Sequence, residues 1–205
     1  VLLAIDTSAG TSVAVVDLEA GILAEESVTD TRSHAEVIGT LIEEALRIAG
    51  VSPRELSGVV AGMGPGPFTG LRVGIAAARA FALGIARPVV PIVSHDAIAL
   101  GLERPSLVVT DARRREVAWS RYAAPDDLGL PVRVAGPELA SPGDLETLVD
   151  GYADLVRVDA PTVSAGALGM LAERLSAAGR PFASADALYL RAPDVTLSTP
   201  KRVTS

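Results

Sequence analysis

Cysteine is absent from all 205 residues, and histidine occurs only twice. The first absence excludes a disulfide framework, a thiolate metal centre and a cysteine nucleophile. The second leaves too few imidazoles for an ordinary His-rich zinc site. Aromatic residues make up 3% of a chain that is 49% hydrophobic, so Val, Leu, Ile and Ala must fill the core. Apolar runs are short, and none approaches the ~20 residues that cross a bilayer. The opening Val1-Leu2-Leu3-Ala4-Ile5 carries no basic leader and meets Asp6 at once. The expectation is a soluble, cytoplasmic, untargeted protein. Positive charge is also in deficit, with 18 Lys and Arg against 25 Asp and Glu and a net charge of −7. A nucleic-acid backbone repels such a surface unless its cations are gathered in one patch, so tight nucleic-acid binding by the chain alone is not expected. Ala and Gly, by contrast, abound, which points to close helix packing and short turns.

Periodicity orders the chain. Val1 to Ile5 reads as a buried strand, Thr11 to Leu18 as a second and Gly21 to Val28 as a third, together an antiparallel meander. Ser33-His34-Ala35-Glu36 has capping-box spacing, and Val37, Ile38, Leu41, Ile42, Ala45, Ile48 and Ala49 follow at helical spacing until Gly50. Gly58 to Gly62 is a compact strand that runs into Gly64-Pro65-Gly66-Pro67-Phe68-Thr69-Gly70. Leu71 to Leu83 is a helix rich in small residues, Val89 to Val93 a strand, and a helix opened by Ser94 or Asp96 ends by Pro105. Antiparallel strands followed by βαβ crossovers predict a mixed sheet covered by helices. A second lobe restarts near Pro105 as strand (106–110), arginine-rich turn (111–115) and strand (116–122). Further strands are expected at 132–135 and 155–158, and helices after Ser141-Pro142 and over 164–178. The predicted division is residues 1–104, residues 105–195 and a loose tail over 196–205.

Several groups have chemistry to offer. Asp6, Thr7, Ser8 and Thr11 read either as a phosphate loop with Asp6 near Mg²⁺ or as a strand-ending hydroxyl turn. Gly64 to Gly70 invites a P-loop reading, but it lacks the Lys-Ser/Thr of that motif, and Pro65 and Pro67 remove two NH donors. A rigid turn fixing the Ala-rich helix competes with it. Arg113-Arg114-Arg115 is a local cationic tip, partly offset by Glu116. His34 and His95 have no nucleophile and orienter in view, and His34 sits where a helix cap is expected.

Four stretches taken in order carry a family resemblance. They are Leu3-Ala4-Ile5-Asp6-Thr7-Ser8 with Ser12-Val13-Ala14-Val15, Gly62 through Gly74, Asp111-Ala112-Arg113-Arg114-Arg115-Glu116-Val117, and Tyr189-Leu190-Arg191-Ala192-Pro193. The set resembles the TsaB (YeaZ) family, and the likeness covers most of the chain, densest over 1–122. The resemblance implies an α/β fold of the actin-like ATPase, sugar kinase and Hsp70 (ASKHA) type, with two lobes on mixed sheets and the second reduced. It implies a non-catalytic subunit of tRNA N6-threonylcarbamoyladenosine synthesis that forms homodimers alone and heterodimers with its catalytic paralogue TsaD. It also implies the ATPase TsaE as a partner through the complex, tRNA contacted only indirectly, and no membrane.

The same resemblance assigns a shared dimer and TsaD surface to Val37, Ile38, Leu41, Ile42, Ala45, Thr69, Leu71, Arg72, Val73, Ala76, Ala77 and Ala80. TsaD carries a His-x-x-x-His metal pair just after the strand matching Val89 to Val93, and those positions here hold Ser94 and Ile98. Its late glycine pair beside adenosine has only Gly166-Ala167-Leu168-Gly169, inside a predicted helix, as a counterpart. The expectation is therefore no required cofactor, no metal, and at most vestigial ATP or ADP binding at Asp6, Thr7, Ser8 and Asp111. An ATP-binding small-molecule kinase or ATPase using Asp6, Thr7 and Asp111 is the alternative; a metalloprotease, the other class, has almost no support in a chain with two His and no His-Glu-x-x-His.

Overall fold

The computed structural model describes residues 1–30 and 33–191. The proposed tail, and Ala192 and Pro193 of the fourth stretch, lie outside the described residues. The first sheet holds β1 (Leu2–Asp6), β2 (Thr11–Asp17), β3 (Gly21–Val28), β4 (Gly58–Gly62) and β5 (Val89–Ile92), in the order β3-β2-β1-β4-β5. β1 and β2 pair antiparallel, as do β2 and β3, while β4 runs parallel to both β1 and β5. Every residue of β1 and β4 is buried, which is why these strands read as unbroken apolar runs rather than as alternations.

Alternation decides which neighbour each side chain meets. Leu3, Ile5, Val13, Val15, Val59 and Ala61 face α1 (His34–Ala49) and α2 (Phe68–Gly84). Their neighbours Leu2, Ala4, Ala14, Val16 and Val60 face α5 (Ala165–Ala177) on the opposite side. Two glycines bring α5 onto the sheet: a Cβ on Gly166 would lie 2.5 Å from Ile22 Cδ1, and one on Gly169 would lie 2.7 Å from Val16 Cγ2. The late glycines thus serve packing.

The second sheet comprises β6 (Ser106–Asp111), β7 (Val117–Tyr122), β8 (Arg133–Ala140) and β9 (Val156–Asp159), in the order β8-β7-β6-β9. It repeats the plan of the first: a three-stranded antiparallel meander, then a strand parallel to the first of them. One face is covered by α4 (Leu145–Leu148) through Leu145, with Leu107, Val109, Trp119 and Val149. Between the sheets lies α3 (Ser94–Ala99).

Several boundaries differ from the sequence expectation. The helix of residues 165–177, grouped by sequence with the smaller lobe, packs on the first sheet. The Ser33 side chain makes no cap bond, and main-chain bonds from Glu36 and Val37 to the Ser33 carbonyl open α1 instead. The reciprocal pairing forms instead beyond α1, at the short turn Pro53–Glu55, where the Ser52 NH and hydroxyl both donate to Glu55. α2 begins at Phe68 rather than Leu71, because the turn before it leads straight into helical geometry. α3 stops at Ala99, ahead of Gly101 at φ 87°.

Candidate functional site

β1 and β4 end side by side, so the Asp6 turn and the loop after Gly62 meet at one end of the first sheet. Asp6 is 1% exposed. Its Oδ1 accepts from the Ser8 NH (2.7 Å) and the Ser8 hydroxyl (2.6 Å), and its Oδ2 accepts from the Ser94 hydroxyl (2.5 Å). Burial pushes its pKa up, and the bonds from Ser8 and Ser94 hold it down in part. Ser94 also accepts from the Gly64 NH at 3.0 Å. The Thr7 hydroxyl donates to the Gly70 carbonyl (2.7 Å) and accepts from the Gly74 NH (3.0 Å).

Glycines 62, 66, 70 and 74 make this contact fit. A methyl group on Gly62 would overlap Asp6 Oδ2, and one on Gly74 would overlap Thr7 Oγ1. A Cβ at Gly66 would stand 2.7 Å from the Ser8 carbonyl, and one at Gly70 2.7 Å from the Thr7 carbonyl. The glycine-rich stretch is therefore a cover pressed onto residues 6–8. Thr11 Oγ1 lies 2.7 Å from His34 Nδ1, which places His34 in the same buried polar layer rather than at a helix cap.

Asp111 does not join this cluster. It is exposed at the end of β6, where its carboxylate accepts from the Arg113 NH at 3.1 Å and closes its own turn. In that turn Arg113, Arg114 and Arg115 have φ of 65°, 55° and 64°, a left-handed run rare for side chains of this size. The turn borders a 320 Å³ cavity between the lobes, lined also by Gly66 to Thr69, Leu190 and Arg191. Arg191 pairs there with Glu116.

His95 is fully buried, its Nδ1 2.8 Å from Ser120 Oγ and its Nε2 2.9 Å from Thr110 Oγ1. Burial, with Arg133 nearby, lowers its pKa to about 3, so it is neutral at physiological pH. Asp96 beside it accepts from the Tyr122 hydroxyl (2.7 Å) and from Arg133 Nε (3.0 Å). Sequence reasoning did not find this group. Its trace there is the polar pair Thr110 and Ser120, each following an apolar stretch of its strand.

The proposed interface residues divide in two. Ile38, Leu41, Ile42, Ala45 and Leu71 are core residues against the first sheet and offer no surface, because α1 turns its broad apolar stripe inward. Val37, Val73 and Ala77 are half-buried at the edge of that core. Thr69, Arg72, Ala76 and Ala80 are exposed on α2, with Leu83 82% exposed at its end. Arg72 stacks 3.9 Å over the Phe68 ring, which in turn packs on Tyr189 at 4.8 Å.

Residues 21–149 match the family model described as TsaD, tRNA N6-adenosine threonylcarbamoyltransferase. An uncharacterized protein of Mycobacterium leprae is 41% identical over 150 residues, covering 71% of this chain but 40% of that protein. The tRNA threonylcarbamoyladenosine biosynthesis protein TsaB of Escherichia coli is 33% identical over 96 residues, 44% of this chain and 42% of that one. A crystal structure from Pseudomonas aeruginosa, described as an uncharacterized protein with similarity to peptidase YEAZ, superposes with a TM-score of 0.76 at 26% identity. It covers 93% of this chain and 99% of that one. The two-sheet architecture is thus shared with that YeaZ-like structure across nearly the whole length, and the chain belongs to the family that the TsaD model describes, as a TsaB (YeaZ)-like member.

Proposed function

We propose that the chain is a non-catalytic accessory subunit of tRNA N6-threonylcarbamoyladenosine synthesis in the cytoplasm, dimerising alone and docking onto a TsaD-type catalytic subunit. It requires no cofactor, and TsaE and tRNA are reached through the complex. The observation that carries this reading is the enclosed Asp6. A carboxylate that serves Mg²⁺ and phosphate must present an oxygen to them, whereas both Asp6 oxygens are spent on Ser8 and Ser94 beneath the 64–70 loop. Ser94 and Ile98, at the positions of the paralogue's metal-binding pair, offer one spent hydroxyl and one alkyl chain.

The docking face in this reading is the outer side of α2. Ala76 and Ala80 let a partner helix approach closely, Leu83 supplies exposed apolar area, and Arg72 and Arg79 flank it. Docking favours the active state of the catalytic subunit only by as much as this chain binds that state more tightly than others.

The test is light scattering behind size-exclusion, for the chain alone and with a TsaD-type protein, alongside calorimetric titration with Mg-ATP. The expected result is a homodimer, a mixed complex, and loss of both in folded Ala76→Glu and Ala80→Glu variants. A wild-type chain that ignores the partner and binds Mg-ATP at micromolar concentration refutes the reading in favour of a kinase or ATPase. Threonylcarbamoyl transfer by the isolated chain refutes it equally.

A further inference from the structure

Three consecutive residues at the start of α3 bond in opposite directions. Ser94 reaches back into the first lobe, to Asp6 and the Gly64 NH. His95 reaches forward into the second lobe, with one ring nitrogen at Thr110 on β6 and the other at Ser120 on β7. Asp96 takes the Tyr122 hydroxyl from β7 and the Arg133 guanidinium from β8. Ser94, His95, Thr110 and Ser120 are all at most 3% exposed. Around them Ile98, Ala99, Leu102, Val108 and Tyr122 form an apolar seal.

We infer that Ser94, His95 and Asp96 pin the two sheets in one orientation, so that the lobes travel as a single body and do not open and close around the cleft. Hinge motion needs a connection whose few residues can absorb changes in φ and ψ. The connection from β5 into the second lobe enters through α3, and its first three residues are each anchored by side-chain bonds. Opening would strip an imidazole and two hydroxyls of their partners together and break the apolar seal around them in the same movement. On the far side of the junction, Arg180 after α5 pairs with Asp126 of the β7–β8 loop at 3.3 Å and adds a second tie. The consequence is a positioning role: the cleft wall carrying the left-handed arginine turn holds a fixed distance from the α2 surface, whatever binds to either.

The chain has no cysteine, so Glu43→Cys on α1 and Glu146→Cys on α4, both exposed positions, take spin labels cleanly. Pulsed electron spin resonance on labelled chain diluted into an excess of unlabelled, cysteine-free chain then reads the distance between lobes within one protomer, in wild type, in Tyr122→Phe/Ser120→Ala and in His95→Ala. The expected wild-type result is one narrow distribution, unchanged by Mg-ATP, that broadens about twofold in the variants. Two wild-type populations overturn the inference, as does a folded variant whose distribution stays as narrow as wild type. If His95→Ala does not fold, the Tyr122→Phe/Ser120→Ala variant, which removes two hydroxyls and leaves the apolar packing, decides alone.

Discussion

Replacing Ser94 with alanine removes one hydroxyl and leaves two buried groups short. Asp6 Oδ2 loses its donor at 2.5 Å, and the Gly64 NH loses its acceptor at 3.0 Å. A hydrogen bond to a charged group is worth roughly 1.5–3 kcal/mol, and a buried NH left unpaired costs roughly 1–3 kcal/mol. The two together put the loss at about 4 kcal/mol, or ~8–16 °C in Tm for a chain of this size. The pH dependence provides a sharper test. Burial already raises the Asp6 pKa above its unfolded value of 3.8, and the Ser94 bond holds it down. With the native pKa above the unfolded one, the native state binds more protons between the two values. The stabilisation linked to that proton is therefore complete below 3.8 and is lost as pH rises through the folded pKa. Ser94→Ala moves that folded pKa further up, so its penalty is larger at pH 7 than near pH 4. Urea unfolding of both proteins at the two pH values measures it. A penalty under about 1 kcal/mol at pH 7, or one that is the same at both pH values, refutes the account of Asp6 as an enclosed carboxylate held by Ser94.

Three further outcomes follow from the same geometry. Leu41→Ala, in the core, should cost ~2–5 kcal/mol, whereas Ala80→Glu on exposed α2 should shift the stability of the monomer by no more than about 0.5 kcal/mol; thermal denaturation at a dilution that keeps every protein monomeric separates them. Gly74→Ala should destabilise by ~1–3 kcal/mol because its methyl group displaces the Thr7 hydroxyl. Adding Thr7→Ala should recover part of that loss, and a double-mutant cycle without coupling would dismiss the clash. His95, with its pKa lowered to about 3, should show no ring-proton titration by NMR between pH ~5 and ~8. Because its native pKa lies below the unfolded 6.5, the stability its neutral form contributes is present above 6.5 and drains away as pH falls toward 3.

Gly58–Gly62 was legible because burial on both faces left an unbroken apolar run, and the structure reproduces its bounds and those of Gly21–Val28, a strand with Ala24 alone buried. α1 was legible because its apolar spacing is helical and Gly50 ends it in the left-handed region at φ 66°. What that spacing does not encode is the identity of the surface the stripe meets. Ile38, Leu41 and Ile42 would look the same facing a partner as facing β2 and β3. The same limit hid the destination of α5, whose pattern declares an apolar face but not which sheet receives it. At the candidate site, Asp6, Thr7 and Ser8 have the composition of a ligand loop. Whether such groups serve a ligand or each other depends on residues 56 and more positions away, Gly62 to Gly74 and Ser94, that only the fold brings to them. The clasp at α3 was invisible for a related reason: Thr110 and Ser120 meet His95 across the junction between two sheets.

The placement of α5 also has a temporal consequence. Leu2, Ala4, Val16 and Val60 lie far ahead in chain order of the helix that covers them, which is contributed by residues 165–177. In chain order the smaller sheet is an insertion spliced into the larger domain, ahead of that domain's final helix. A ribosome releasing residues one at a time thus exposes half of the first core until the second sheet has been made. The first 104 residues on their own amount to an unfinished domain with one greasy face, and a fragment ending there should precipitate or recruit a chaperone. A split after residue 104 that restores a soluble protein should succeed only when the second piece brings α5 with it.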